Sequence, residues 1–551
     1  MQSTNPDAPN DPTDGRAATE LISALSIEGQ RPVVFSPRRC AAVLASSLLL
    51  GLALPHAPAT AAPAKAAKSV MRTSAPAVKA TTPKTTVKAA ETAPAVPTLA
   101  SRLALVKNAK TLNYYPSAAG WSKMWTEWNP AKIDADLAKA DALGADNVRV
   151  IIFPSTFGWP KPWNGYQDRL AQFVDIAAAR GMTVKFTLFD WWDAYGDVDE
   201  SVAWTKTVLT RYKDDKRVLS FELQNEIDPG NTAAMTWAKK MIPALRSAFP
   251  TMPLTVSTDG VSGAKGLAKV KSTLGSTSVD FYEFHLYGNS ERALTLIKGA
   301  QAAVAPTPIT IGETGLNTLQ NTEGEQAAFL ARVFEAAEAA GVQSVAPWTL
   351  NDFATGAIPS SAVSRIPAQY SYGLYRLDGT AKPAAAVVKA GWTNTTMPAS
   401  VMDPSFEAGN NLTPWRAYMP ELGLAVKTQS MARTGKWSVS MTNTGKTSAG
   451  SPSYRVAPIA PVKSAQKWHG EVWARGNAAT GTTQIALSWF DANDKWLGGV
   501  SSNWLPVGTT GWTKLSVDGV APAGSASMQV HLKSGENTGT VWFDDAVITA
   551  S

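Results

Sequence analysis

Between residue 110 and about Trp392, short apolar runs rich in β-formers alternate with stretches of helical period. The runs at 111–115, 147–153, 183–189, 218–223, 254–257, 279–284, 309–312 and 344–347 predict eight strands. Several are almost continuously apolar, as parallel strands covered on both faces must be. The helices between them carry recognisable ends. Asn129-Pro130 supplies an N-cap and a first-turn proline, Ile133, Leu137 and Leu143 make the apolar stripe, and Gly144 stops it. Thr322 and Glu325 form a capping box ahead of Phe329, Leu330, Val333 and Phe334, and Gly341 closes that helix. Strands and helices alternating over about 280 residues predict an α/β architecture, a (β/α)8 TIM barrel across 108–398. A doubly wound open sheet is the alternative, but no glycine-rich phosphate fingerprint follows the first strand.

From about residue 400 the pattern changes to short strands with frequent Gly, Ser, Asn and Pro and no helical period; 437–441, 468–474, 484–490 and 540–547 are examples. Such spacing predicts an all-β sandwich over 399–551, a jelly roll being the version that protects its edges.

The overall charge of +7 changes this picture less than its size suggests. Residues 1–61 carry −1 and 62–100 carry +5, which leaves +3 on the remaining 451. A nucleic-acid binder concentrates basic charge on its folded surface, so nucleic acid is not an expected partner. Segment 62–100 is Ala, Pro, Thr and Lys with hardly an aromatic, and cannot bury enough apolar area to offset its ordering entropy. It reads as a disordered linker, with ordered sequence from near Lys110.

Upstream, Arg38-Arg39 precede the apolar run 40–54 and then Ala59-Thr60-Ala61, the layout of a signal peptide over 1–61. Arg38-Arg39 also fits twin-arginine export. The run is short for a membrane span, so the expectation is bacterial secretion with no membrane attachment after cleavage, an uncleaved anchor being the alternative. Cys40 is the only cysteine, which excludes an intrachain disulfide, a cysteine metal site and a thiol nucleophile. The secreted chain is expected to be a monomer.

Catalysis in such a barrel sits where strands end at the C-terminal face. Strand four ends in Phe221-Glu222-Leu223-Gln224-Asn225-Glu226 and strand seven in Ile311-Gly312-Glu313-Thr314-Gly315. Two carboxylates from nearly opposite sides of a barrel would share a cleft, as glycoside hydrolysis requires. Strand two places Arg149 in an otherwise apolar run, where a buried guanidinium needs a carboxylate partner. Strand six ends in Phe284-His285-Leu286-Tyr287 and strand eight in Pro347-Trp348.

This ordered set resembles clan A of the glycoside hydrolases, closest to family 5, the cellulase and mannanase family: Arg on strand two, Asn-Glu after strand four, His-x-Tyr after strand six, Glu on strand seven, Trp on strand eight. The stretch Tyr372-Gly373-Leu374-Tyr375-Arg376-Leu377-Asp378-Gly379 with Lys382-Pro383 is similar to that family's barrel ending. The resemblance implies Glu226 as general acid/base and Glu313 as nucleophile. It implies that Asn225 binds the sugar 2-OH, that Tyr287 and Arg149 orient Glu313 and keep it anionic, that His285 bonds near the acid/base or the substrate, and that Trp348 floors the glycon subsite. No cofactor is implied for catalysis. Four scattered histidines, His56, His285, His469 and His531, do not make a catalytic metal cluster.

Other loops offer stacking faces and hydroxyl acceptors: Tyr114, Tyr115 and Trp121 after strand one, Phe157 and Trp159 after strand two, and Asp190-Trp191-Trp192-Asp193 after strand three. Tyr115, Trp159, Trp191 and Trp192 are taken as substrate-binding. The C-terminal domain opens with Asp403-Pro404-Ser405-Phe406-Glu407 and closes with Phe543-Asp544-Asp545. It resembles jelly-roll carbohydrate-binding modules of the family 4, 9 and 22 type. That resemblance implies a structural calcium between Glu407 and Asp544 or Asp545, oxygen ligands suiting calcium. Trp415, Trp489, Trp496 and Trp504 are candidate sugar platforms. The expected function is a secreted retaining endo-β-glycanase acting on polysaccharide or oligosaccharide. An exo-acting β-glycosidase is one alternative. A non-catalytic carbohydrate-binding or cell-wall-binding protein on the same fold is another; it would fit loss of either carboxylate, and neither is lost.

Overall fold

In a computed structural model, the apolar runs become parallel strands: β1 (Thr111–Asn113), β2 (Asn147–Ile151), β3 (Thr183–Phe189), β4 (Val218–Gln224), β5 (Leu254–Thr255), β6 (Ser257–Thr258), β7 (Tyr282–Leu286), β8 (Ile309–Thr314) and β9 (Val345–Pro347). The structure describes residues 96–550 apart from 289, 362, 399–401, 410–412, 457–461 and 494. The expected signal peptide, Cys40 and most of the linker lie outside the described residues.

Strands β1-β2-β3-β4-β5 run side by side, as do β6-β7-β8-β9. The predicted fifth strand is one position broken at Val256 into β5 and β6. The ring closes between β9 and β1. Asn113 donates from Nδ2 to the carbonyls of Gly312 (3.0 Å) and Pro347 (3.2 Å), and Thr349 Oγ1 donates to the Asn113 carbonyl at 2.8 Å. An open sheet is thereby excluded. Strands β7 and β8 reach further along the chain than their apolar runs suggested, because buried polar partners continue the pairing: His285 and Glu313 stand within strands and not beyond them.

Expected caps form where the sequence placed them. Asn129 Oδ1 accepts from the Lys132 amide at the start of Pro130–Leu143, and Gly144 ends that helix at φ +92°. Thr322 and Glu325 cap each other's amides at the start of Glu323–Ala339. One expectation is corrected. Order begins before Lys110, and the stretch assigned to the linker up to residue 100 runs into a helix, Leu99–Val106, with a Thr98/Ser101 capping box. Buried Arg102 holds it, donating to the carbonyls of Val218 and, at 3.1 Å, Asp215, while Val106 packs with Leu219 and Phe281 under the barrel. Leu99, Leu103 and Val106 do repeat at helical spacing, but over only two turns at the end of an Ala/Pro-rich stretch.

The C-terminal domain is an all-β sandwich of two five-stranded antiparallel sheets. One orders β10 (Arg416–Tyr418), β13 (Ser453–Val456), β18 (Ser527–Gly535), β15 (Thr482–Phe490) and β16 (Trp496–Ser501). The other orders β11 (Ala425–Thr428), β12 (Ser438–Thr442), β19 (Thr540–Ala550), β14 (Lys467–Asn477) and β17 (Thr513–Val520). Along β14 every second residue from Trp468 to Gly476 is buried, the alternation of a half-covered strand. Trp415 and Trp489 fill the core between the sheets, whereas Trp496 and Trp504 face solvent. Barrel and sandwich touch through Arg416, ion-paired with Glu325 and donating to Asn321 at 2.7 Å, and through Arg292 on the Ala492 carbonyl at 2.5 Å.

Candidate active site

Charged side chains stand inside the barrel because its strands present every second residue inward. From β2, Arg149 is 1% exposed and uses its whole fork. It donates from Nε to Glu222 (2.8 Å) and Thr187 (2.9 Å), from Nη1 to Glu313 (2.6 Å) and Asn113 (2.9 Å), and from Nη2 to Asn225 Oδ1 (2.8 Å). Burial opposes its charge, but Glu222, Glu313 and Glu283 outweigh it and push the guanidinium's proton affinity well above the ordinary value. A fork geometry filled by carboxylates on two sides is a task for Arg and not for Lys.

Glu313, on β8, also accepts from the Tyr287 hydroxyl at 2.8 Å. Desolvation, reinforced by the adjacent Glu313, raises the Tyr287 phenol well above its usual range, so it remains a donor. Across the cleft, Glu226 follows β4 with φ +46°, a conformation rarely adopted outside glycine and typical of functional positions. Its amide is held by Ser257 Oγ at 2.8 Å, and its Oε1 meets His285 Nδ1 at 2.8 Å. An oxygen of Glu226, an oxygen of Glu313 and a ring nitrogen of His285 all lie within 4.8 Å of one another. That closeness suits a carboxylate attacking the anomeric carbon directly, and leaves little room for a water between carboxylate and sugar.

The chemistry-bearing residues named from the sequence, Arg149, Asn225, Glu226, His285, Tyr287 and Glu313, form one connected network. Asn225 lies between Arg149 and Asp190, its Nδ2 donating to Asp190 Oδ1 at 3.3 Å. Burial raises Asp190 to about 7.

The aromatic residues divide. Trp191 is 46% exposed and stacks on Trp121 at 6.4 Å between centroids; Trp121 in turn stacks on Tyr115 and meets Trp348 edge-on at 5.7 Å. Tyr115, taken as substrate-binding, is 1% exposed beneath Trp121 and Trp348, so its ring supports the aromatic wall and is not its face. Trp159 and Trp192 pack against each other at 4.5 Å and onto the core through Trp204 and Phe189, an apolar contact that leaves them half-buried. Only Trp191 of these loop residues offers a broad open face.

Three residues that carry the network had no role assigned from sequence: Lys185 on β3, Glu222 on β4 and Glu283 on β7. Lys185 Nζ pairs closely with Glu283 and lies 3.4 Å from Glu222, all three buried. Charged residues interrupting apolar strands at inward positions are the signal that identifies them. Glu222 accepts from Arg149, from Thr187 (2.5 Å) and from Ser257 (2.6 Å); Arg149, then Lys185, overcome its burial and hold it far below the ordinary carboxylate range.

In the sandwich, the acids expected to hold calcium are engaged by the protein itself. Glu407 Oε1 accepts from the amides of Lys436 and Trp437, both at 2.7 Å, and Asp544 Oδ2 from those of Arg433 (2.6 Å) and Thr434 (3.1 Å). Asp545 pairs with the Arg433 guanidinium at 2.6 Å. Among the described residues these three do not converge into a group of ligand oxygens. Backbone amides hold Glu407 and Asp544 and Arg433 holds Asp545, so each of the three acids has a donor from the protein.

No family model matches the sequence. The chain is similar to Endoglucanase E-5 of Thermobifida fusca, 26% identical over 185 residues (32% of this chain, 39% of that protein), and to Endoglucanase CelA of Streptomyces lividans, 28% over 211 residues (36% and 44%). The barrel resembles those of clan A, family 5 glycoside hydrolases. The chain spans less than half the length of either curated relative. Among solved structures, GH5_18 from Streptomyces cattleya in complex with GlcNAc is 20% identical, covering 52% of this chain and 81% of that one at a TM-score of 0.45. Exo-beta-1,4-mannosidase Op5Man5 from Opitutaceae bacterium strain TAV5 is 18% identical, covering 52% and 59% at a TM-score of 0.44. Among the described residues no helix is long and apolar enough to cross a membrane.

Proposed function

We propose that the chain is a retaining β-glycoside hydrolase that cuts β-linked polysaccharide by double displacement. The observation that carries this reading is the pair Glu226 and Glu313, within 4.8 Å of each other and each held by different partners. Glu226, on the open side of the cleft, gives its proton to the glycosidic oxygen as that bond breaks. Glu313, fixed by Arg149 and Tyr287, attacks the anomeric carbon and forms a glycosyl ester. Glu226, now a carboxylate, takes a proton from water, whose oxygen attacks the same carbon and frees Glu313. The open face of Trp191 would line the sugar path, with Trp348, only 7% exposed, at its floor beside Trp121, as aromatic planes suit the apolar faces of pyranose rings.

Endo-acting β-glucan hydrolysis is the specific form supported by the similarity to two endoglucanases, and β-mannan is the second candidate substrate. The sandwich then acts as a carbohydrate-binding module through Trp496 and Trp504, 61% and 62% exposed, raising the enzyme's effective concentration on polymer. Secretion follows from the proposed signal peptide. Proton NMR of the first-formed product on a panel of β-glucans and β-mannans tests the reading. Release of the β-anomer is expected; release of the α-anomer, or no hydrolysis of any member, would overturn it.

A further inference from the structure

Below the reacting pair, two buried polar atoms have no hydrogen-bond partner: His285 Nε2 and Glu283 Oε1. They belong to residues two apart on β7, and a ring nitrogen of His285, an oxygen of Glu283 and an oxygen of Glu222 all lie within 4.8 Å of one another. The other nitrogen, Nδ1, is already taken by Glu226 at 2.8 Å. Glu222 has both oxygens engaged by Arg149, Thr187 and Ser257, and Glu283 has Oε2 on Lys185. Glu283 Oε1 is therefore the open acceptor, and Nε2 the nitrogen that lacks one. Buried donors and acceptors are rarely left unpaired, and these two belong to neighbouring inward side chains of one strand.

The charges around the ring support the same assignment. Facing His285 are Glu226 and Glu222 from the β4 end, Glu313 from β8, Glu283 and Tyr287 from its own strand, Arg149 from β2 and Lys185 from β3. Burial, with Glu222 beside it, raises the proton affinity of Glu283, and Lys185 opposes that rise. With Glu283 ionised against Lys185 and Glu226 carrying the proton that it will donate, three carboxylates face two basic side chains. A doubly protonated imidazole supplies the missing positive charge.

We propose that Glu283 is a positioning residue: it accepts the Nε2 proton of His285, holding the ring doubly protonated so that Nδ1–H stays on Glu226 Oε1 and leaves Oε2 to exchange the substrate's proton. Burial works against a charged ring here, while Glu313 and Glu226 more than offset it and raise its proton affinity above the ordinary imidazole value. No proton leaves His285 in this scheme. Its role is to donate through Nδ1 in both halves of the reaction while Glu283 accepts from Nε2, as orienting carboxylates accept from other catalytic and metal-bound histidines.

The inference rests on the proposed acid/base role of Glu226, but its test does not require turnover. Nitrogen-15 spectra of histidine-labelled full-length protein, with the His285 signals identified by their loss in His285→Gln, should show both ring nitrogens protonated at neutral pH. In Glu283→Gln the ring should lose its charge about 1–3 pH units lower, and the alkaline limb of kcat/KM should move down with it. A structural defect alone would lower the plateau and leave that limb in place. An unprotonated Nε2 in the wild type at neutral pH overturns the proposal even if Glu283→Gln fails to fold. An identical His285 midpoint in the two proteins overturns it as well. Absent hydrolysis with a doubly protonated ring would instead count against the proposed function and support the inference.

Discussion

Two groups of acids in this molecule look equally promising as residue types and end in opposite situations. In the barrel, Glu222, Glu226, Glu283 and Glu313 arrive from three strand positions and meet Arg149, Lys185 and His285, and Glu226 keeps an oxygen toward the cleft. In the sandwich, Glu407 and Asp544 cap amides of the 433–437 segment, and Asp545 holds Arg433 and, at 2.5 Å, the Thr434 hydroxyl. The first set shares its charge among groups on different elements; the second ties a turn to a strand. What separates a site from a staple is how much acceptor capacity the fold leaves unused, not the number of acids.

The strongest way to break that contrast is to remove the barrel's acids one at a time. Glu226→Gln is expected to cost roughly 10²–10⁴-fold in kcat, and Glu313→Gln at least as much, with polysaccharide binding retained in a pull-down assay. Wild-type rates of reducing-sugar release from either variant would end the comparison. Next in size, Arg149→Met leaves Glu222 and Glu313 buried without their partner and should destabilise the protein by about 3–5 kcal/mol in urea unfolding. Arg433→Met, at a half-exposed pair, should cost no more than about 1 kcal/mol. Equal losses would show that the two groups are not different in kind.

Smaller effects sharpen the boundary. Trp191→Ala removes the open aromatic face and should weaken substrate binding by about 0.5–1.5 kcal/mol, roughly 2–12-fold in KM, with kcat little changed. Asp190 is raised to about 7 by burial, so the folded protein holds its proton more tightly than the unfolded chain does. The stability linked to that proton is complete below the ordinary carboxylate range and is lost as pH rises through about 7. Asp190→Asn should flatten that dependence, seen as a smaller fall in Tm between pH 4 and pH 8 than the wild type shows. Finally, chelation with EDTA is expected to leave the Tm of the sandwich unchanged, since its acids already have donors; a clear drop would restore the calcium reading.

Much of the architecture was legible in the one-dimensional pattern. Apolar runs with capped helices between them determined alternating parallel strands and helices, because a strand buried on both faces leaves no polar alternation and each helix end must satisfy its own amides; closure between β9 and β1 then decided for the barrel over an open sheet. The change to short strands and turn residues near residue 400 marked a second, all-β domain for the same reason. Strand ends carrying Asn225-Glu226, His285-Leu286-Tyr287 and Glu313 determined which side chains could meet. The helix Leu99–Val106 escaped because its apolar repeat is only two turns long, and its docking depends on Arg102, Leu103 and Val106 meeting residues more than a hundred positions away.

Tertiary structure alone decided which aromatic faces are open. Trp191 is exposed, whereas its neighbour Trp192 packs on Trp159 and Phe189, a difference that residue type does not make. It also decided that Lys185 and Glu283 join the network under the candidate active site and that the sandwich's acids hold a turn. Those outcomes depend on contacts between residues tens to hundreds apart. A local pattern specifies the faces a segment presents, but only the closed fold determines which donor finds each acceptor.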